Sequence, residues 1–234
     1  GEPAGIGPDL ALMAWANRKS LKLPPFYVRG DETLFRERAG RLGMTLPIEA
    51  TSPDQAAGHF ARSLPIVQTG PALVDRPGEE QAETAPSVVA SIEAGVEDVH
   101  AGDACGLVTC PINKAALYRT GFSFPGHTEY LGALAEKHWP DAPARPVMMI
   151  AGPALMVVPV TIHIPLRDVP DTVTAELIIE TAEITAKDLK SRFGYANPRL
   201  AICGLNPHAG ENGSIGTEDR DVIQPAIAEL RSRG

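Results

Sequence analysis

The sequence has little cysteine, few aromatic residues and no excess of basic charge. Its cysteines, Cys105, Cys110 and Cys203, form no CxxC pair. They can therefore build neither a zinc ribbon nor a disulfide framework, and they fit a reducing cytoplasm. Lysine and arginine number 21 against 29 aspartate and glutamate residues, which gives a net charge of −8. Binding to a nucleic-acid backbone needs a concentrated basic surface, so we expect no nucleic-acid partner.

A long uninterrupted apolar run is also missing. The most apolar stretch, residues 147–166, is broken at Gly152-Pro153 and again at Pro159, whereas a membrane-spanning helix needs about 20 apolar residues in succession. We therefore expect no membrane partner and interpret this stretch as two adjacent strands joined by a Gly-Pro turn. The chain opens on Gly1 without a basic and then apolar leader, so neither a signal peptide nor a native start is visible, and the chain is expected to be cut at this end.

The 234 residues, 44% hydrophobic and 21% charged, are enough to bury a sizeable core. Short apolar segments alternate with amphipathic helical patterns, and together they predict an α/β protein. The predicted strands cover residues 25–29, 45–49, 64–68, 106–109, 157–164 and 199–203. The predicted helices cover residues 31–42, 79–100, 127–138, 172–193 and the region from 217 onward, where Pro225 predicts a kink. Residues 51–62 are predicted to be an irregular connection.

The stretch from residue 199 to residue 219 is the most informative. It begins as a buried strand, and Asn206-Pro207 then fixes a turn just before His208. Glycines recur at every third position beyond the turn, which excludes a regular helix or strand interior. These glycines are Gly210, Gly213 and Gly216. We expect His208 at a strand end, where ligands bind in α/β proteins.

A second imidazole, His163, lies in the almost wholly apolar segment 157–164. Alone it would be interpreted as a core histidine with satisfied hydrogen bonds. A strand, a crossover helix and the strand that ends before His208 would place both rings at corresponding ends of neighbouring parallel strands. Two neutral imidazoles there would make half of a divalent metal site.

Three further segments offer groups for an anion. The opening loop, residues 1–9, is rich in glycine and proline, and it is either an anion-binding loop or a plain entry into the helix that follows. A Pro-Gly turn delivers His127 and Thr128 to the first turn of a helix, where backbone N–H groups attract anions. Lys114 would either meet a phosphate or carboxylate or be a solvated surface residue.

These motifs together resemble one family. GEPAGIGPD at residues 1–9, FPGHTEY at 124–130, IHIPLRD at 162–168 and CGLNPHAGENGSIGTED at 203–219 are similar to motifs of 4-hydroxythreonine-4-phosphate dehydrogenase, an enzyme of pyridoxal phosphate synthesis. The resemblance implies an isocitrate/isopropylmalate dehydrogenase-like fold, with two α/β subdomains and a cleft between them. We expect the first subdomain at residues 1–120 and the second at 121–234, in a chain truncated at both ends.

The resemblance also implies roles for single residues. His163 and His208 match two of three metal-ligating histidines, and His127 and Thr128 match a substrate-binding pair. The implied reaction is metal-dependent oxidation of the secondary alcohol of 4-phosphooxy-L-threonine with NAD or NADP, followed by decarboxylation. Zn²⁺ is the favoured ion, with Mg²⁺ and Co²⁺ as alternatives, and a homodimer with a shared active site is expected. The third metal ligand and the catalytic base are expected beyond Gly234.

Other functions remain open from the residues alone. A metallohydrolase could also use paired histidines, although neither His163 nor His208 lies in an HxH or HExxH arrangement. A non-catalytic phosphate-binding fragment is a second alternative. The third is a paralogue that oxidises another phosphorylated hydroxy acid, such as a four-carbon sugar-acid phosphate.

Overall fold

The computed structural model describes residues 1–79, 81–141 and 145–234, which form two compact units, Gly1–Arg145 and Pro146–Gly234. The sequence places a boundary earlier, after residue 120. In the structure the helix His127–His138 remains with the first unit, because its residues Tyr130 and Leu134 share a hydrophobic cluster with Val88.

A parallel sheet lies in the first unit, with β3 between β1 and β2. Its strands are β1 (Val28–Gly30), β2 (Ile48–Ala50) and β3 (Leu64–Gln68). Val28 pairs with Ile66, and Ile48 pairs with Leu64. Leu64 and Ile66 are completely buried, as expected for a central strand of a parallel sheet. The structure confirms the prediction for residues 64–68.

Helices cover this sheet and form a second cluster beside it. The helices of the first unit are α1 (Gly7–Ala16), α2 (Glu32–Arg41), α3 (Pro53–His59), α4 (Ala85–Ala101), α5 (Lys114–Arg119) and α6 (His127–His138). α1 and α2 pack on the sheet through Leu12, Trp15, Leu34 and Phe35. Asp31 caps α2, since its carboxylate accepts a hydrogen bond from the Leu34 amide at 3.1 Å.

The helix α3 corrects the prediction of an irregular connection over residues 51–62. Pro53 occupies the first turn, where its missing N–H group costs nothing, and Asp54 follows in the same turn, where it complements the positive helix end. These two residues are helix start signals that the prediction did not take into account.

The second unit combines a short hairpin with helices. Its strands β4 (Ile150–Ala151) and β5 (Met156–Val157) are antiparallel and flank Gly152-Pro153, as predicted. Its helices are α7 (Val169–Thr172), α8 (Ala175–Ser191) and α9 (Gln224–Arg233). A π-helical turn, Asp219–Ile223, precedes α9. This irregular turn directly before Pro225 agrees with the predicted kink.

The predictions of strands over residues 106–109, 157–164 and 199–203 are wrong for this structure, apart from Val157 in β5. These segments are apolar, but a strand forms only where its N–H and C=O groups pair with a neighbouring strand. Within the described ranges they have no such neighbour, and Val108 is 93% exposed.

The core of the second unit gathers around α8 and α9. Ile178 of α8 packs with Ile223 and Ala226, and Val160 and Leu205 pack against the same cluster. Among the residues described, no helix combines the length and the apolar character that crossing a membrane would require.

Candidate functional site

The first turn of α6 carries the predicted substrate-binding pair. The helix begins at His127, as predicted, and Thr128 follows it in the same turn. Gly126 is the N-cap residue and offers no side-chain acceptor to the first N–H groups of the helix. This end of α6 therefore presents backbone donors and a positive partial charge.

The ring of His127 is the most informative group in this unit. Its Nε2 atom is buried and has no hydrogen-bond partner among the described residues. Burial lowers the pKa of His127 below the usual 6.5, and the positive charge of Lys114 lowers it further. The ring is thus neutral at pH 7. A buried polar atom without a partner costs free energy, which a ligand group could recover.

Lys114 lies next to the same turn. Its Nζ atom is 3.6 Å from the position that a Cβ atom on Gly126 would take, and Glu129 Oε2 is 3.4 Å from that position. Lys114 opens α5, whose N-cap residue Asn113 accepts a hydrogen bond from the Ala116 amide at 3.2 Å. The structure therefore brings Lys114 and His127 together at one helix end.

The opening loop borders a cavity of about 300 Å³, lined by Glu2, Ala4, Gly5, Gly78 and Asn113. The buried Glu2 carboxylate accepts a hydrogen bond from the Ala4 amide at 3.1 Å. The Glu2 side chain thus already accepts the hydrogen bond from an N–H group that a bound anion would need. This contact favours the helix-entry interpretation of the loop, and Pro8 lies in the first turn of α1 as predicted.

The two predicted metal ligands lie in the second unit, and both are exposed. His163 is not in a strand but at a bend with φ of 57°, and His208 lies in Pro207–Gly213 with φ of 53°. Residues other than glycine seldom adopt positive φ, and such conformations concentrate at functional sites. Within the part of the chain that the structure describes, neither imidazole makes a hydrogen bond or ion pair.

The two neighbouring parallel strands that were predicted to bring these histidines together are absent from the described residues. Their segments instead share one core, because Val160 and Leu205 pack against the same cluster around Ile178. No group of three or more histidine, cysteine, aspartate or glutamate residues in the described ranges could hold a metal ion. His163 and His208 therefore stay a predicted pair of ligands.

Asp219 was missed as a site residue by sequence reasoning. Its carboxylate is buried and accepts hydrogen bonds from the turn that precedes His208. The available signal was an acidic residue directly after a run of closely spaced glycines, which suggests a tightly packed turn with its own acceptor. Among the other histidines, His59 pairs with Glu49, and His100 packs on His138.

Comparison with known proteins places the chain in a family. Residues 22–234 match the family model described as pyridoxal phosphate biosynthetic protein PdxA. A 4-hydroxythreonine-4-phosphate dehydrogenase of Xanthobacter autotrophicus is 51% identical over the whole chain, which covers 67% of that protein. One of Bradyrhizobium diazoefficiens is 49% identical over the whole chain, which covers 70% of it.

A solved structure gives the same relationship at the level of the fold. The crystal structure of a 4-hydroxythreonine-4-phosphate dehydrogenase from Burkholderia phymatum matches with a TM-score of 0.84 at 28% identity. The match covers the whole chain and 69% of that structure. The chain spans about two thirds of the length of the curated relatives.

The fold and these relationships define an α/β oxidoreductase. The chain belongs to the PdxA family of pyridoxal phosphate biosynthetic proteins. The resemblance seen in the sequence motifs is thereby confirmed.

Proposed function

We propose that the protein oxidises the secondary alcohol of 4-phosphooxy-L-threonine with NAD or NADP, in a metal-dependent reaction followed by decarboxylation. Two relatives that carry the dehydrogenase name over the whole length of this chain support the proposal. The structural observation that carries it is the buried Nε2 atom of His127, without a partner in the described residues and close to Lys114.

The phosphate end of the substrate would bind at the start of α6. A neutral His127 can donate one hydrogen bond from Nε2 in the appropriate tautomer, and Thr128 offers a hydroxyl group in the same turn. The ammonium group of Lys114 would supply the charge that a phosphate dianion attracts. Backbone N–H groups at the helix start would add further donors.

His163 and His208 would hold the divalent cation. Exposed imidazoles without other partners in the described residues fit the nitrogen ligands that Zn²⁺ prefers, and Mg²⁺ and Co²⁺ are the alternatives. The chemistry supplied by such a cation is polarisation of the substrate alcohol, and the nicotinamide cofactor supplies the hydride acceptor. The histidines' part is to fix the position of that charge.

We further propose an isocitrate/isopropylmalate dehydrogenase-like fold and a cytoplasmic homodimer with a shared active site. Exposed apolar side chains of the second unit support an interface with a second subunit, among them Ile150, Leu155 and Leu166. The cysteines support a reducing compartment, because Cys105, Cys110 and Cys203 are all unpaired.

A paralogous activity on another phosphorylated hydroxy acid is the nearest alternative, since the contacts at His127 would recognise any phosphate group. A non-catalytic phosphate-binding fragment is favoured by one observation, namely that the described residues hold no metal cluster of three ligands. The dehydrogenase names of the relatives disfavour a metallohydrolase.

A substrate panel tests the proposed function. Reduction of NAD and of NADP is followed by absorbance with 4-phosphooxy-L-threonine and with a four-carbon sugar-acid phosphate, before and after chelation and Zn²⁺ addition. We expect turnover of 4-phosphooxy-L-threonine that is lost on chelation and restored by Zn²⁺. Turnover of only the sugar-acid phosphate would support the paralogue, and phosphate binding without any turnover would support the non-catalytic fragment.

A pair of variants locates the substrate site. His127→Ala should raise the KM about 10- to 100-fold, because hydrogen bonds to charged groups contribute about 1.5–3 kcal/mol. His138→Ala, at the other end of α6, is the matched control and should leave the KM unchanged. If the KM is unchanged in both variants, His127 does not bind the substrate.

A further inference from the structure

The turn that carries His208 has an unusual backbone. Five consecutive residues, from His208 to Asn212, have φ between 42° and 76°. For residues other than glycine, the left-handed conformation is sterically unfavourable and costs free energy. Only Gly210 among these five is free of that cost. Interactions elsewhere must therefore hold this turn in place.

Asp219 supplies such interactions. Its Oδ1 atom accepts a hydrogen bond from the Leu205 amide at 3.0 Å. Its Oδ2 atom accepts from the Asn206 amide at 3.0 Å and from Asn206 Nδ2 at 3.1 Å. Asp219 is only 2% exposed, so water does not compete effectively for these donors. Both carboxylate oxygens therefore accept hydrogen bonds from the two residues that precede Pro207.

The contacts of Asp219 point away from its own helical segment. Asp219 lies in the first turn of the π-helical segment Asp219–Ile223, where an acidic side chain ordinarily stabilises the amides of its own helix. Here the side chain instead reaches back to Leu205 and Asn206. These amides, that of Asn206 first, lower the pKa of Asp219 against the opposing effect of burial.

The neighbouring glycines show how closely the turn fits this carboxylate. A Cβ atom on Gly204 would lie 2.8 Å from Asp219 Oδ1, and one on Gly210 would lie 2.5 Å from the carbonyl oxygen of Gly216. A Cβ atom on Gly216 would lie 2.7 Å from Asn206 Nδ2. Real Cβ atoms do not approach other atoms so closely. The glycines therefore allow the turn to close around the Asp219–Asn206 contact.

We propose that Asp219 is a positioning residue for His208, and that its carboxylate fixes the left-handed turn that presents the imidazole. The consequence for metal binding rests on the proposed role of His208 as a ligand. Asp219 does not touch the cation. It determines where the Cα atom of His208 lies and in which direction the ring leaves the backbone.

The test compares Asp219→Asn with Asp221→Asn. The Asn variant places an NH₂ group against N–H donors, whereas Asp221 is exposed, pairs with Arg220 and serves as the matched control. Two measurements are made on each protein: hydrogen exchange of the Leu205 and Asn206 amides with the backbone chemical shifts of residues 208–212, and the affinity for Co²⁺ followed by visible absorption.

We expect Asp219→Asn to lose at least about 10-fold of the amide protection, to shift the His208 backbone signals and to weaken Co²⁺ binding about 10- to 100-fold, the usual effect of losing an outer partner of a metal ligand. Asp221→Asn should match the wild type. If Asp219→Asn does not fold, Asn206→Ala should show smaller changes in the same direction, because it removes one of the three hydrogen bonds to Asp219 together with the Asn206–Glu218 contact. Unchanged His208 signals and Co²⁺ affinity in a folded Asp219→Asn protein would overturn the proposal.

The role of His208 as a metal ligand is decided separately from the role of Asp219. If the wild type and His208→Ala bind Co²⁺ equally poorly, the metal role of His208 is refuted. The exchange rates and chemical shifts still decide whether Asp219 fixes the turn, because they do not depend on a bound ion.

Discussion

Arg38 donates a hydrogen bond from Nε to Asp75 Oδ1 at 2.7 Å, and both side chains are buried. The same guanidinium group donates to the carbonyl oxygens of Pro3 and Gly5 at 3.0 and 3.1 Å and pairs with Asp9. One buried cation therefore joins α2 to the opening loop. Since that loop contributes Glu2 to the cavity wall, Arg38 stabilises the shape of the cavity from outside it.

Replacement of Arg38 by Met should lower the free energy of unfolding by about 3 kcal/mol, because the buried Asp75 carboxylate keeps only the more exposed Arg41 as a charged partner. Arg36→Met is the matched control from the same helix. Its side chain is half-exposed, and its ion pair with Glu32 should contribute about 1 kcal/mol or less. Urea denaturation measures both values. Equal losses of unfolding free energy in the two variants would show that the burial of the Arg38–Asp75 pair does not contribute to stability.

The turn around His208 makes a prediction about glycine. Gly210 and Gly194 have almost the same φ, 76° and 75°, but only Gly210 lacks room for a Cβ atom. Gly194→Ala should destabilise by about 1–2 kcal/mol through the left-handed backbone alone. Gly210→Ala should cost more, since its Cβ atom would meet the Gly216 carbonyl oxygen at 2.5 Å. Thermal unfolding of both variants gives the comparison, and a smaller cost at Gly210 would contradict the close packing of the turn.

The lowered pKa of His127 predicts a pH dependence of stability. The folded state holds the His127 pKa below the 6.5 of an unperturbed imidazole, so the unfolded chain binds more protons in mild acid. The stability that depends on a neutral ring is complete above pH 6.5 and is lost as the pH falls towards the folded-state pKa. His127→Gln, which cannot titrate, should therefore show a shallower loss of stability below pH 6.5. Urea denaturation at a series of pH values tests this, and parallel curves would argue against a neutral ring with a buried Nε2 atom.

The sequence predicted the parts of the fold that depend on local signals. The cap at Asp31, the extent of β3 and the start of α6 at His127 follow from residues within a few positions of each one. The same local signals were present for α3 but were overlooked. Residues 106–109, 157–164 and 199–203 are apolar enough for strands, but strand formation depends on a pairing partner that composition cannot reveal.

In the candidate site, too, local sequence signals predicted some features, whereas others depend on tertiary contacts. His127 and Lys114 were recognisable from motifs and helix starts, but the buried, unpartnered Nε2 atom is a tertiary property. The buried positions of Asp219 and Arg38 were not predicted, because charged residues are seldom buried unless they are paired and the partners of these two are distant in sequence. The left-handed turn at His208 could not be predicted, because four of its five residues are not glycine.

The central claim is that His163 and His208 bind one divalent cation required for the oxidation. The most direct test is the Zn²⁺ affinity, measured by competition with a chelator, of the wild type, His163→Ala, His208→Ala and the control His59→Ala. The account predicts a single tightly bound ion per chain, a loss of affinity in each of the first two variants that exceeds the roughly 100-fold upper range for an outer partner, and no change in the control. Wild-type affinity in both His163→Ala and His208→Ala would contradict the account.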